Sequence, residues 1–217
     1  MVLTRHGATP RSSPEQHLGQ GIDIGLSDEG RAAARALAVR LEGASFDRIV
    51  ASPLRRAQET ADLLAGGRPI ESDRRIAEMD YGEWEGLTYE QIDARDPDLR
   101  ERWVADPGSL ACPGGESGDN VARRAGAFVK DAVAAAGTGE QRILVIAHAT
   151  LNRILLCVVL GVPVRDYRRR FRQDPANLTI LRFGSEAGDR HVGAKLVVGN
   201  DTSHVAKVPR DLAGTPR

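Results

Sequence analysis

Cysteine is nearly absent. Cys112 and Cys157 are the only two in 217 residues. They form no CxxC pair, so neither a disulfide framework nor a zinc site is expected. Net charge is absent as well, 30 Lys and Arg balancing 30 Asp and Glu. A dedicated nucleic-acid binder carries a basic excess, so no nucleic-acid partner is expected. Long apolar runs are missing. The longest, ILLCVVLGV at 154–162, is too short to cross a bilayer and reads as a buried helix. No basic segment followed by an apolar stretch opens the chain, so no export signal and no membrane partner are expected. Among the five histidines no HxH or HExxH spacing occurs, and no metal or other cofactor is expected. Aromatics are only 4%, while 41% hydrophobic and 28% charged residues are ordinary for a globular protein. The length suits one domain over 1–217, expected in a reducing cytoplasm as a monomer or homodimer.

Strand and helix signals alternate along the chain. VLT at 2–4 reads as a short strand and 7–25 as a polar loop. Ser27 then caps a helix whose Ala34, Leu37, Ala38 and Leu41 share one face, with Gly43 as its stop. FDRIVAS at 46–52 reads as a strand running into a helix capped by Ser52, with Pro53 at its first position and Gly66–Gly67 at its end. RIAEMDYGEWEG reads as a short strand and a turn. TYEQ at 88–91 has the form of a capping box, and VARRAGAFVKDAVAAAG is an amphipathic helix. RILVIAH at 142–148 is the clearest strand, followed by a helix capped by Thr150. NLTILRF at 177–183 and AKLVVGN at 194–200 are further strands. This alternation predicts an α/β fold with a mostly parallel sheet covered on both faces.

Three strand ends carry polar residues of one chemical kind: Arg5 with His6, Ser52 with Arg55 and Arg56, and His148 with Thr150. In open α/β sheets ligands sit beyond the carboxyl ends of the strands. Arg55 and Arg56 fall in the first turn of a helix, where each exposed cation opposes the macrodipole at about 0.3–1 kcal/mol. Two in a row point to a compensating anion, which a helix N-terminus and an arginine fork would both bind. The bland alternative is that both arginines reach into solvent. His148 taken alone reads slightly better as a core histidine bonded to backbone. His6 beside Arg5 is held neutral by charge repulsion, and a neutral imidazole beside a phosphate-binding arginine can attack phosphorus. Glu78 is a candidate proton donor to the leaving alkoxide, with Asp80, Glu83 and Glu85 as rivals.

With these residues collected, the chain resembles the phosphoglycerate-mutase-like branch of the histidine phosphatase superfamily. LTRHGAT, GIDIGLSDEGRAAARAL, ASPLRRAQETA, EMDYGEWEG, PGGES and VIAHATLNRILL match that family's six motifs in order, over roughly residues 2–157. The resemblance implies a three-layer α/β/α fold with a central, mostly parallel mixed sheet. It also implies a helical insertion, within 74–140, covering the site. It makes His6 the nucleophile that carries a phosphohistidine and Glu78 the general acid, then base. It makes Arg5, Arg56 and His148 the phosphoryl contacts, and adds Thr9, Ser12 and Thr150 to the substrate-binding set. Arg56 is preferred to Arg55 because it directly precedes the alanine of the motif. The chain departs from the pattern at several positions, Gln20 among them, where a glycine is frequent. Ser12 stands where the family commonly has Asn, Arg11 where an aromatic is usual, and Ala149–Thr150 where Gly-Gly often follows the second histidine. A related branch places an Asp after that histidine; Ala149 here leaves Glu78 as the favoured donor.

The implied activity is hydrolysis of a small-molecule phosphate monoester without a metal. A phosphoglycerate mutase-type transfer shares the first half-reaction and is the runner-up. A catalytically reduced phosphate-ligand-binding protein on the same fold is a third reading, and a metal-dependent hydrolase lacks ligand spacing. The basic run RDYRRRFR at 165–172 suits a second anionic group or nucleic acid, but is expected to be a solvated helix face. Trp84, Trp103 and Tyr89 are expected as core and cover.

Overall fold

The computed structural model describes residues 1–137, 139–184 and 193–205; the end of the expected domain, 206–217, lies outside them. In chain order the elements are β1 (Val2–Arg5), α1 (Asp28–Arg40), β2 (Arg48–Ala51), α2 (Arg55–Ala65) and β3 (Glu71–Ser72). Two short 3-10 turns, Arg74–Ile76 and Gly82–Trp84, lead to α3 (Tyr89–Arg95), α4 (Pro97–Ala105) and α5 (Gly118–Ala136). Then follow β4 (Ile143–Ala147), α6 (Ala149–Leu160), a 3-10 turn at Val164–Asp166, α7 (Tyr167–Arg170), β5 (Leu178–Phe183) and β6 (Ala194–Asp201).

The six strands form one mixed sheet in the order β3-β2-β4-β1-β5-β6. β1 and β2 flank β4 in parallel, β3 joins β2 in parallel, and β5 and β6 add to the other edge antiparallel. Alternation along β4 splits the core in two. Ile143, Val145 and Ala147 pack with Phe128, Leu151 and Leu155 on the face carrying α5 and α6. Leu144 and Ile146 pack with Leu37, Ala57, Ala61 and Leu64 on the face carrying α1 and α2. The sheet is thus covered on both sides, which is why β4 reads as an unbroken apolar run. Arg5 pairs with Ala147 and Ala51 with Ile146. The residues that follow, His6, Ser52 and His148, therefore emerge side by side at one end of three adjacent strands.

Local structure departs from the sequence reading at three places. α2 begins at Arg55, with Leu54 at the cap position; Ser52 does not cap it and Pro53 is not its first residue. The carboxylate of Asp23 takes the Arg55 N–H at 2.6 Å instead. α6 begins at Ala149 with His148 at the cap position, so Thr150 lies inside the helix and is not its cap. The stretch 75–86 holds 3-10 turns and no strand, because Arg124 of α5 takes the carbonyls of Arg75, Ala77 and Glu78 that a ladder would have used. The Thr88–Gln91 capping box and the Ser27 cap form as the sequence implies.

The loop after β1 is seated by two glycines. A Cβ on Gly7 would lie 2.5 Å from the Gly30 carbonyl oxygen, and a Cβ on Gly30 would collide with the backbone of Ala8. Backbone-to-backbone approach this close leaves no room for a side chain. The seat is completed by Ser27 N–H to Ala8 O at 2.9 Å and Gly7 N–H to Thr60 Oγ1 at 3.1 Å. Gly30→Ala is expected to lower unfolding stability by about 1–3 kcal/mol through overpacking against an unyielding backbone, read from denaturant midpoints; an unchanged midpoint would contradict this seating.

Candidate active site

A cleft opens at the carboxyl ends of β1 and β4. Its walls include Arg5, His6, Ser12, Glu78 and Thr150, with Arg11, Glu15, His17, Tyr81, Tyr89, Arg153 and Arg168 around them. His6 and His148 meet edge to face, ring centroids 5.1 Å apart. The His6 Nδ1 lies 2.7 Å from the Gly7 carbonyl oxygen. A carbonyl only accepts, so Nδ1 donates and the lone pair of the neutral ring sits on Nε2. Burial, then the charges of Arg56 and Arg5, push the His6 imidazole well below its ordinary value, so the ring is neutral and basic at Nε2.

His148 is fully buried, its Nε2 2.7 Å from the Ser52 hydroxyl. That hydroxyl accepts from the Leu54 N–H, and its own proton is free to go to Nε2. In this pairing the ring proton of His148 stays on Nδ1, which has no hydrogen-bond partner among the described residues. Burial and the charge of Arg56 again hold the ring neutral.

Two arginines flank the pair. Arg5 donates through Nη1 to the Gln173 carbonyl at 3.0 Å and faces Glu15 at 3.7 Å through Nη2, while its buried Nε has no hydrogen-bond partner among the described residues. Arg56 is fully buried on α2. Its Nη groups donate to the carbonyls of Leu18, Gly19 and Ile22, again leaving Nε without a hydrogen-bond partner among the described residues. Glu85 holds this carbonyl loop from the other side, accepting from the N–H groups of Gln20, Gly21 and Ile22. Arg55 points the other way, exposed and paired with Glu59 at 2.7 Å.

Glu78 closes the cleft opposite. One carboxylate oxygen accepts from the N–H groups of Met79 and Leu151, the other from that of Thr150. It thus sits on the N-terminus of α6 and accepts from N–H groups that have no partner within the helix. Glu116 of the PGGES stretch and Arg124 pin the backbone beside it. The rival carboxylates are engaged elsewhere: Asp80 takes the Gly82 N–H, Glu83 pairs with Arg95 on the surface, and Glu85 holds the carbonyl loop.

The remaining expected residues divide. Ser12 lines the cleft and is braced by the Thr9 N–H at 2.9 Å. Thr9 itself is buried, its hydroxyl 3.2 Å from that of Ser12. Thr150 lines the cleft, with its hydroxyl 2.7 Å from the Tyr81 phenol. The sequence reading missed Arg153, His17 and Tyr81 in the walls, and it placed Arg168 in a solvated face. Arg165, Arg169, Arg170 and Arg172 are exposed, but Arg168 turns inward. Trp84 and Trp103 are fully buried core, packed edge to face, whereas Tyr89 lines the cleft. Among the described residues no three His, Cys, Asp or Glu side chains group as a metal site, and no helix is long and apolar enough to cross a membrane.

Comparison with known proteins gives this geometry its family context. A family model described as histidine phosphatase superfamily (branch 1) matches residues 1–192. The chain is 30% identical over 209 residues to phosphoserine phosphatase 1 of Hydrogenobacter thermophilus, covering 95% of this chain and 94% of that one. It is 34% identical over 186 residues to the bifunctional protein Rv2228c of Mycobacterium tuberculosis, covering 84% of this chain and 50% of that one. The chain thus spans about half the length of that curated relative. Among solved structures, mycobacterial glucosyl-3-phosphoglycerate phosphatase in complex with VO3 superposes with a TM-score of 0.81 at 34% identity, covering 92% of this chain and 98% of that one.

Proposed function

The chain belongs to branch 1 of the histidine phosphatase superfamily, and from that premise we propose that it hydrolyses a small-molecule phosphate monoester through a phosphohistidine on His6, without a metal. One observation carries the reading. Arg5, Arg56 and His148 all lie near the neutral His6 ring, and among the described residues Arg5 Nε, Arg56 Nε and His148 Nδ1, which carries the ring proton when Ser52 donates to Nε2, are buried without a hydrogen-bond partner. An unpartnered buried donor costs about 1–3 kcal/mol. A phosphoryl group brings three acceptor oxygens and negative charge to all three at once.

The steps follow from the placement. Nε2 of His6 attacks phosphorus while Arg5 and Arg56 neutralise the equatorial oxygens and His148 donates a hydrogen bond to them. The bond from phosphorus to the ester oxygen breaks, and Glu78 gives its proton to that oxygen. Glu78, now a carboxylate, takes a proton from water as the water attacks the phosphohistidine. The bond from phosphorus to nitrogen breaks, inorganic phosphate leaves, and Glu78 is again protonated. Ser12 and Thr150 border the phosphoryl site, and Thr9 acts through Ser12.

A panel of phosphorylated metabolites assayed for phosphate release, with and without excess chelator, tests the reading. Release from at least one ester, at full rate in chelator, is expected. Loss of the rate in chelator would overturn the metal-free mechanism. Isomerisation of 3-phosphoglycerate without phosphate release would assign the mutase reaction instead.

A further inference from the structure

The phosphoryl group accounts for Arg5 and Arg56. The same cleft holds two more guanidinium groups that nothing in that chemistry uses: Arg153, from the second turn of α6, and Arg168, from α7. Arg168 lies over two aromatic faces, its guanidinium carbon 5.3 Å from the Tyr89 ring centre and 5.2 Å from that of Trp103. Stacking of this kind holds the planar fork in a fixed orientation. Arg100 shares both rings, at 5.3 Å and 5.2 Å, so two like charges occupy one platform.

The counter-charge is short. Arg100 has Asp93 at 3.4 Å. Among the described residues neither Arg153 nor Arg168 forms an ion pair with a carboxylate, and the buried Arg153 Nε has no hydrogen-bond partner. The carboxylates in the cleft walls are Glu15, which faces Arg5, and Glu78, which sits on the α6 N–H groups. The field is felt by His17, packed edge to face on Tyr81 and Tyr89. Burial, and then the charges of Arg168 and Arg100, push it down to about 4. Arg168 meets the hydroxyls of Tyr89 and Tyr167 but no carboxylate among the described residues, and a lining with this excess of cations over carboxylates suits a ligand that carries more negative charge than one phosphoryl group.

We infer that Arg153 and Arg168 form a second anion subsite, which receives a carboxylate on the leaving-group side of the phosphate ester. The inference rests on the phosphatase reading for the position of the phosphoryl group. It narrows the substrate class to monoesters whose alcohol is itself an acid.

Phosphonates, in which a carbon replaces the ester oxygen, test it without turnover. 3-Phosphonopropionate and 4-phosphonobutyrate are compared by calorimetry with propylphosphonate and butylphosphonate, which put a methyl group where the carboxylate was. The better carboxylate probe is expected to bind at least about tenfold more tightly than its methyl partner, as one charge-assisted pair implies. Arg168→Met and Arg153→Met are each expected to shrink that ratio at least about threefold, with Arg168→Lys in between, since lysine keeps the charge but not the fork. Each variant's own methyl probe reports whether its phosphoryl site is intact, and the two arginines lie on different helices. Equal affinity of the paired probes for the unaltered protein, binding of none of them, or a ratio unmoved by both methionine variants overturns the subsite. The preference for carboxylate probes, together with failure to release phosphate from every ester of the panel, would leave the subsite standing and overturn the hydrolysis reading.

Discussion

His6→Ala is expected to abolish phosphate release, lowering kcat/KM at least about 10³-fold for every ester accepted, because a covalent intermediate has no substitute nucleophile here. The nearest side chain of the same kind, His148, cannot take over. It is fully buried, its Nε2 is engaged with Ser52, and in that pairing its Nδ1 carries the proton. The expected loss is chemical rather than structural, since the backbone of residue 6 is held by Ala147 O and Ala176 N–H irrespective of the ring. Thermal unfolding of the variant close to that of the parent would separate the two. The ring's environment adds a pH expectation. Burial, then Arg56 and Arg5, depress His6 well below 6.5, so its basic form persists as pH falls through that value. The acid side of kcat/KM against pH is therefore not expected to break near 6.5. Activity retained in His6→Ala would place the chemistry elsewhere.

Glu78→Gln is the second large effect. A general acid contributes about 10²- to 10⁴-fold, and only where the leaving group needs its proton. An alkyl phosphate should lose activity over that range. p-Nitrophenyl phosphate, whose phenolate leaves unaided, should lose far less in formation of the phosphoenzyme. Glutamine keeps one oxygen to accept from the α6 N–H groups that now meet Glu78, so the helix end retains a partner. Equal losses on both substrates, in single-turnover measurements, would remove the proton-transfer role and leave Glu78 as a positioning residue.

The chemistry was more legible in the sequence than the way the chain holds it. RHG behind a strand, and the arginine pair behind Ser52, are local patterns, and the parallel pairing of β1, β2 and β4 brings them together. What escaped was long-range. Ser52 and Thr150 have the composition of caps, yet Asp23 takes the first N–H of α2, and Glu78 takes two N–H groups of α6 from 72 and 73 residues away. No local propensity encodes such a partner. The stretch 75–86 reads as a short strand and a turn, but Arg124 diverted its carbonyls. In RDYRRRFR one arginine of several turns inward, because Tyr89 and Trp103 offer it two ring faces. A charge run cannot say which of its members that will be.

The most direct test is to trap the intermediate. The protein, and Glu78→Gln with its slowed hydrolysis, would be mixed with p-nitrophenyl phosphate, quenched in alkali, where phosphohistidine survives, and read by intact and peptide mass spectrometry. One phosphoryl group per chain on His6, absent from His6→Ala, is the expected result. A phosphoryl group on any other residue, or none while phosphate release continues, would contradict the mechanism proposed for this site.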